Sequence, residues 1–119
     1  MKIEHLRVGN IVGFNVHEVG VITGVQAFVT TSDRVAINNR SDIYYTIERI
    51  VPIELNPKWF IKLGFQEDDL CGVFRAINYT VESWPEGYRL RYKGTIIRRV
   101  IKYVHTLQNI QNSIDTQDE

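Results

Sequence analysis

The chain has 119 residues, and its 14 basic and 14 acidic side chains balance to a formal charge of zero. That length suits one domain burying its own core, and the even charge excludes a general pull toward nucleic acid or anionic membrane. A single cysteine, Cys71, excludes an internal disulfide and a cysteine-based metal cluster.

The first half reads as β structure. "LRVGNIVGF" alternates in part around the turn pair Gly9-Asn10, and Val19 to Thr31 is rich in β-branched residues and punctuated by Gly20 and Gly24. "RVAINN" is a short strand ending on two residues that tolerate left-handed backbone. "DIYYTIERIVPIEL" alternates, with Ile43, Tyr45, Ile47 and Arg49 on one face and Tyr44, Thr46, Glu48 and Ile50 on the other. Short strands with close turns predict a small SH3-like barrel or a bent antiparallel sheet.

The period then changes. Asn56 can cap a helix, Pro57 suits its first position, and Gly64 suits its end. A short helix over Asn56 to Leu63 is predicted, with Trp59, Phe60 and Leu63 on its apolar face, followed by the acidic loop "QEDDLCG". A second β block follows: Val73 to Trp84 alternates, "PEG" is a turn, and Lys93-Gly94 turns a second hairpin. A closing amphipathic helix is expected from about Ile101 to Ile114, before a polar tail at 115–119 that should fray. The whole is expected to be a single α+β domain, 1–119, with an alternative division near Pro52.

In the closing helix Tyr103, Leu107, Ile110 and Ile114 fall within about 60° of one another, which makes them the expected buried stripe. His105, Gln108, Asn109 and Asn112 lie opposite. Their neutral donors and acceptors could read a ligand without electrostatic bias. They could equally be solvated, or bond the protein's own backbone.

A second candidate precedes that helix. From Tyr88 to Lys102 the chain carries Arg89, Arg91, Lys93, Arg98, Arg99 and Lys102 with no acid, interleaved with Tyr88 and Tyr92 and preceded by Trp84. Strand alternation puts Arg89, Arg91 and Lys93 on one face. Arginine forks suit phosphate and aromatic faces suit bases. The competing reading is internal pairing with Glu67, Asp68, Asp69, Glu82 and Glu86, or protection of a sheet edge.

Catalytic signatures are missing. There is no HExxH, phosphate-loop lysine motif, GxGxxG or GxSxG. His5, His17 and His105 lack metal-ligand spacing. Cys71 with His17 or His105 as base has no local support and reads better as a small buried hydrophobe. A non-enzyme without metal or cofactor is expected. The opening residues carry no signal-like apolar run, and no stretch approaches the roughly 18 apolar residues of a membrane span, so a cytoplasmic location without membrane contact is expected.

Three stretches, "LRVGNIV", "PIELNPKWFIKLGF" and "YVHTLQNIQNSI", together resemble a family of small proteins encoded by gut Bacteroidales and their bacteriophages. The matching residues are Leu6, Arg7, Gly9 and Asn10; Pro52, Ile53, Leu55, Trp59, Gly64 and Phe65; and Tyr103, Val104, His105, Leu107, Gln108 and Asn109. Beyond Asn109 the chain is more polar than the family pattern. The resemblance implies a setting rather than an activity: small, cytosolic, often carried on phage DNA. Non-enzymatic phage proteins of this size often block host defences, by binding a defence enzyme or by sequestering its nucleotide messenger.

Three functions are therefore expected to compete. In the first, a homo-oligomer captures a small phosphorylated nucleotide. Arg89, Arg91, Arg98 and Arg99 hold phosphate, Trp84 and Tyr92 stack, and His105, Gln108 and Asn109 read base or ribose. The second is a module that docks a host or phage protein. The third is a weak nucleic-acid accessory protein, which the zero net charge disfavours.

Overall fold

The computed structural model describes residues 5–14, 18–26, 34–38, 44–68 and 72–117. His17, Ile43, Asp69 and Cys71 lie outside the described residues. The chain divides into two compact units, Met1–Ile53 with Val104–Glu119, and Glu54–Tyr103.

The first unit is a nearly closed, barrel-like antiparallel sheet. Its strands are β1 (Ile11–Phe14), β2 (Glu18–Gln26), β3 (Arg34–Ile37), β4 (Tyr44–Thr46) and β5 (Ile50–Val51), in the order β4-β3-β2-β1-β5. Alternation in β1 turns Val12 and Phe14 inward, where they meet Leu6, Ile22, Val35, Ile37 and Ile50. Phe14 packs on Tyr45 with ring centroids 5.1 Å apart.

The alternating run at residues 43–50 does not form one strand. A 3-10 turn at Ile47–Arg49 separates β4, which pairs with β3, from β5, which pairs with β1. Local alternation is compatible with either arrangement. Closure of the sheet requires a corner there, and closure wins.

The second unit is a five-stranded antiparallel meander. It comprises β6 (Gln66–Glu67), β7 (Val73–Ala76), β8 (Tyr79–Trp84), β9 (Gly87–Tyr92) and β10 (Thr95–Ile101), with β6 and β10 at its edges. The expected acidic loop thus starts with an edge strand, β6. Helix α1 (Pro57–Lys62) forms where capping residues predict it. The Asn56 side chain accepts from the Trp59 amide at 3.0 Å. At the other end Gly64, at φ +95°, lets its own amide reach the Ile61 carbonyl and the Phe65 amide reach the Phe60 carbonyl. That double closure brings the Phe60 and Phe65 rings to 5.6 Å. Phe60 is fully buried and also meets Phe74 at 4.9 Å and Tyr88 at 4.8 Å. The unit's core closes around this ring.

The last helix, α2 (Val104–Gln117), belongs to the first unit and packs on β1. It starts three residues later than expected because Ile101 ends β10, and it continues past Ile114 to Gln117. Its most buried residues are Val104, His105 and Leu107, while Tyr103, Ile110 and Ile114 are half-buried. The helix is therefore rotated from the expected orientation, and the seam between its apolar and amide halves faces inward.

Gly20 gives a test of the barrel. A Cβ there would lie 2.4 Å from Ile37 Cγ2 and 2.8 Å from Phe14 Cε1. Gly20→Ala should cost about 1–3 kcal/mol by overpacking, read as a lower urea midpoint at unchanged m-value. An unchanged midpoint would mean that the interior there is looser than described.

Candidate functional site

The amide face of α2 is committed to the protein's own backbone. Gln108 Oε1 accepts from the Ile11 amide at 2.8 Å, and its Nε2 donates to the Gly9 carbonyl at 3.3 Å. One side-chain amide thus replaces a neighbouring strand at the start of β1. Asn109 Nδ2 donates to the His5 carbonyl at 2.9 Å, while its Oδ1 accepts from Asn10 Nδ2 at 2.7 Å. Asn10 is fully buried and fully used: its Oδ1 accepts from the Arg7 amide, its own amide reaches the Arg7 carbonyl, and its carbonyl takes the Ile22 amide.

His105, Gln108 and Asn109, expected to read base or ribose, thus belong to the first unit, where the two amides already have protein partners. His105 is 6% exposed, and the two amides have their polar groups engaged inside the first unit. A buried polar group must be satisfied, and neutral amides manage this without the cost of desolvating a charge. Burial holds the His105 imidazole below its ordinary pKa, and the positive field of His5 pushes the same way.

The basic hairpin is different. Register pairs Val81 with Leu90 and Tyr79 with Tyr92 on the core face, and Glu82 with Arg89 and Thr80 with Arg91 on the outer face. Glu82 lies opposite Arg89 but forms its ion pair with Arg91. Arg91 is thereby neutralised. Arg98 donates from Nη1 to the neighbouring Ile97 carbonyl at 2.8 Å. Tyr92 packs on Tyr79 at 5.2 Å, away from the outer face. Lys93 leaves the strand for the hairpin turn, at φ +50°, with its ammonium over the Tyr92 ring. The expected row of Arg89, Arg91 and Lys93 is therefore broken, and Arg91, Arg98 and Tyr92 are not gathered with the others.

Trp84, Arg89 and Arg99 are gathered. They line a cavity of about 420 Å³ with Pro85, Glu86 and Val100, all from the second unit. Three local features build it. Gly87 stands opposite Trp84 and offers no side chain, so Arg89 folds across the indole, its guanidinium carbon 4.0 Å from the ring centre. A Cβ at Gly87 would also lie 2.8 Å from the Ile101 carbonyl oxygen. Finally, β10 is bulged: Arg98 pairs with Leu90 and Ile101 with Tyr88, so Arg99 and Val100 both face the single residue Arg89.

The charges in this cavity do not cancel one another. Arg89 Nε is buried without a hydrogen-bond partner. The ion pairs of this sheet, Arg75–Asp68 and Arg91–Glu82, involve neither Arg89, Arg99 nor Glu86. Glu86 also lines this cavity, and sequence reasoning did not place it there. It sat in plain view in "Trp-Pro-Glu-Gly", but looked like a turn acid available for internal pairing.

On the same hairpin end, Glu54, Glu86, Ser83, Tyr88 and Lys102 border a second cavity of about 340 Å³. With two acids and one cation it is the poorer host for an anion. Among the described residues no three His, Cys, Asp or Glu side chains gather in a way that could hold a metal. No described helix is long and apolar enough to cross a membrane. No family model, curated protein or solved structure matches the chain.

The amide seam predicts coupling between the chain's two ends. Asn10→Ala and Asn109→Ala should each cost about 1–3 kcal/mol, because each strands a buried partner. The double variant should cost less than the sum, whereas the exposed Ser113→Ala should stay within about 0.5 kcal/mol. Additive losses in a denaturation cycle would refute the direct bond.

His105 predicts a pH dependence. Its folded pKa lies below the ordinary value of about 6.5, so its neutral form is favoured by folding. Its contribution is intact above the unfolded value, shrinks as pH falls through that value, and levels off below the folded pKa. The slope should not exceed about 1.4 kcal/mol per pH unit. His105→Asn should flatten it; an equal slope in the variant would place the titration elsewhere.

Proposed function

We propose that this is a non-catalytic binding protein that captures a small phosphorylated nucleotide in the cavity of Trp84, Arg89 and Arg99. The observation that carries the reading is the convergence of an indole and two un-neutralised guanidiniums on one cavity of about 420 Å³. That volume lies within the range of small-ligand sites, roughly 300–1,000 Å³. A stacked guanidinium keeps its in-plane donors free at its rim, so Arg89 can lie on the indole and still bind phosphate. Arg99 approaches the same space from the bulged edge strand. In the phage setting that the resemblance implies, such capture would remove a nucleotide messenger from a host defence.

A second reading is a surface for docking a protein. It is favoured by the exposure of Trp84, Ile96 and Val100 near the arginines, since Trp and Arg dominate binding hot spots.

Calorimetric titration with nucleoside monophosphates, cyclic nucleotides and inorganic phosphate separates the two. Capture predicts saturable nucleotide binding that weakens at least about tenfold in Arg99→Ala and in Trp84→Ala. Arg98→Ala should leave affinity within about threefold, because that guanidinium bonds the Ile97 carbonyl and does not line the cavity. Nucleotide binding that is absent, or indifferent to Arg99, would remove this reading and leave the docking surface.

A further inference from the structure

The cavity is bipolar, and that property narrows what it can take. Glu86 borders the same space as Arg89 and Arg99, yet forms no ion pair with either. An acid and two cations held apart in one cavity suit a ligand with an anionic end and a donor-bearing end. Two guanidiniums match a phosphate dianion better than a single carboxylate. The indole, 44% exposed beside the stacked Arg89, offers a flat apolar surface to a planar ring. The carboxylate of Glu86 can only accept while ionised, so the ring must present donors toward it.

Among the common bases this pattern selects guanine. Its N1–H and N2–H₂ are adjacent donors pointing the same way, and one carboxylate can accept from both. Adenine presents an acceptor, N1, beside its amino group, and would set a lone pair against the carboxylate. We propose that the cavity is selective for guanine nucleotides, with Glu86 reading the base edge, Trp84 carrying the ring, and Arg89 and Arg99 holding phosphate. This rests on the capture reading above and adds to it the identity of the base. Pro85 precedes Glu86 in the two-residue turn between Trp84 and Gly87, and its ring fixes the backbone that presents the carboxylate.

The test is calorimetric titration of the full chain with GMP, IMP, AMP and inorganic phosphate at constant salt. GMP should bind at least about tenfold tighter than AMP, because a site that hydrogen-bonds a donor rejects the analogue lacking it. IMP, which keeps N1–H and lacks the amino group, should fall between. Glu86→Gln gives the sharper result, since it removes an acceptor and also a negative charge near the phosphate site. It should weaken GMP at least about tenfold and leave AMP unchanged or tighter. A loss confined to one of the two ligands cannot come from misfolding. Equal binding of GMP and AMP, still sensitive to Arg99→Ala, would overturn guanine selectivity while leaving phosphate capture standing. Nucleotide binding that is absent, or indifferent to Arg99→Ala, would overturn both.

Discussion

Asn10 is buried completely, and one of its side-chain donors is satisfied only by Asn109, far along the chain. That bond, with the two made by Gln108, decides that the last helix belongs to the first unit. The chain leaves that unit after Ile53, builds a separate five-stranded sheet, and returns at Val104. Closing so long a loop costs entropy, though the cost rises only with the logarithm of loop length. The second unit meets much of that cost by its own folding. Its ends are tied together by the Leu55 amide on the Lys102 carbonyl and by the bridge between Glu54 and Tyr103. The next pair outward, the Val104 amide on the Ile53 carbonyl, then lies within the first unit. The helix therefore starts from an anchored position, and its amides have little left to search.

The same constraint explains an uncharged polar helix face. A lysine or glutamate at 108 or 109 would have to shed its hydration to reach the Gly9, Ile11 and His5 backbone. A glutamine offers a donor and an acceptor together, which matches the carbonyl of Gly9 and the amide of Ile11. The side chains of this seam, Asn10, Gln108 and Asn109, come from segments near the two ends of the chain, so they read as one structural device in two pieces.

How much of this was legible depended on range. The helix at Pro57–Lys62 was readable because its cap, its proline and its terminal glycine act within a few residues. The Lys93-Gly94 hairpin was readable for the same reason, and both turn residues adopt positive φ. The 3-10 corner at Ile47–Arg49 was not, since nothing local distinguishes a strand that continues from one that must close a sheet. The rotation of the last helix was hidden too. An apolar stripe at helical spacing predicts burial only when the amides opposite have no backbone to bind, and here Gly9, Ile11 and His5 supply it. At the site, Trp84, Arg89 and Arg99 stood out by composition. What separated Arg89 from Arg91 was the choice Glu82 makes between two arginines, and what separated Arg99 from Arg98 was the bulge of β10, both of which only the folded sheet reveals.

The bulges of β10 tie the site to the sheet's solubility. An edge strand with regular hydrogen bonding invites another chain to pair with it, and bulges and arginines discourage this. In a regular strand Arg99 and Val100 would point to opposite faces. The two-for-one bulge opposite Arg89 lets both border the same cavity. It also sets Arg99 across from Arg89 in the register, a like-charge opposition of the kind that costs stability when the groups approach. Glu82 could relieve it from its place opposite Arg89, yet is engaged with Arg91. Glu86 could relieve it from the turn, yet pairs with neither arginine. Two guanidiniums outside the sheet's ion pair, beside a half-exposed indole on a concave surface, are the observation on which the proposed nucleotide site rests.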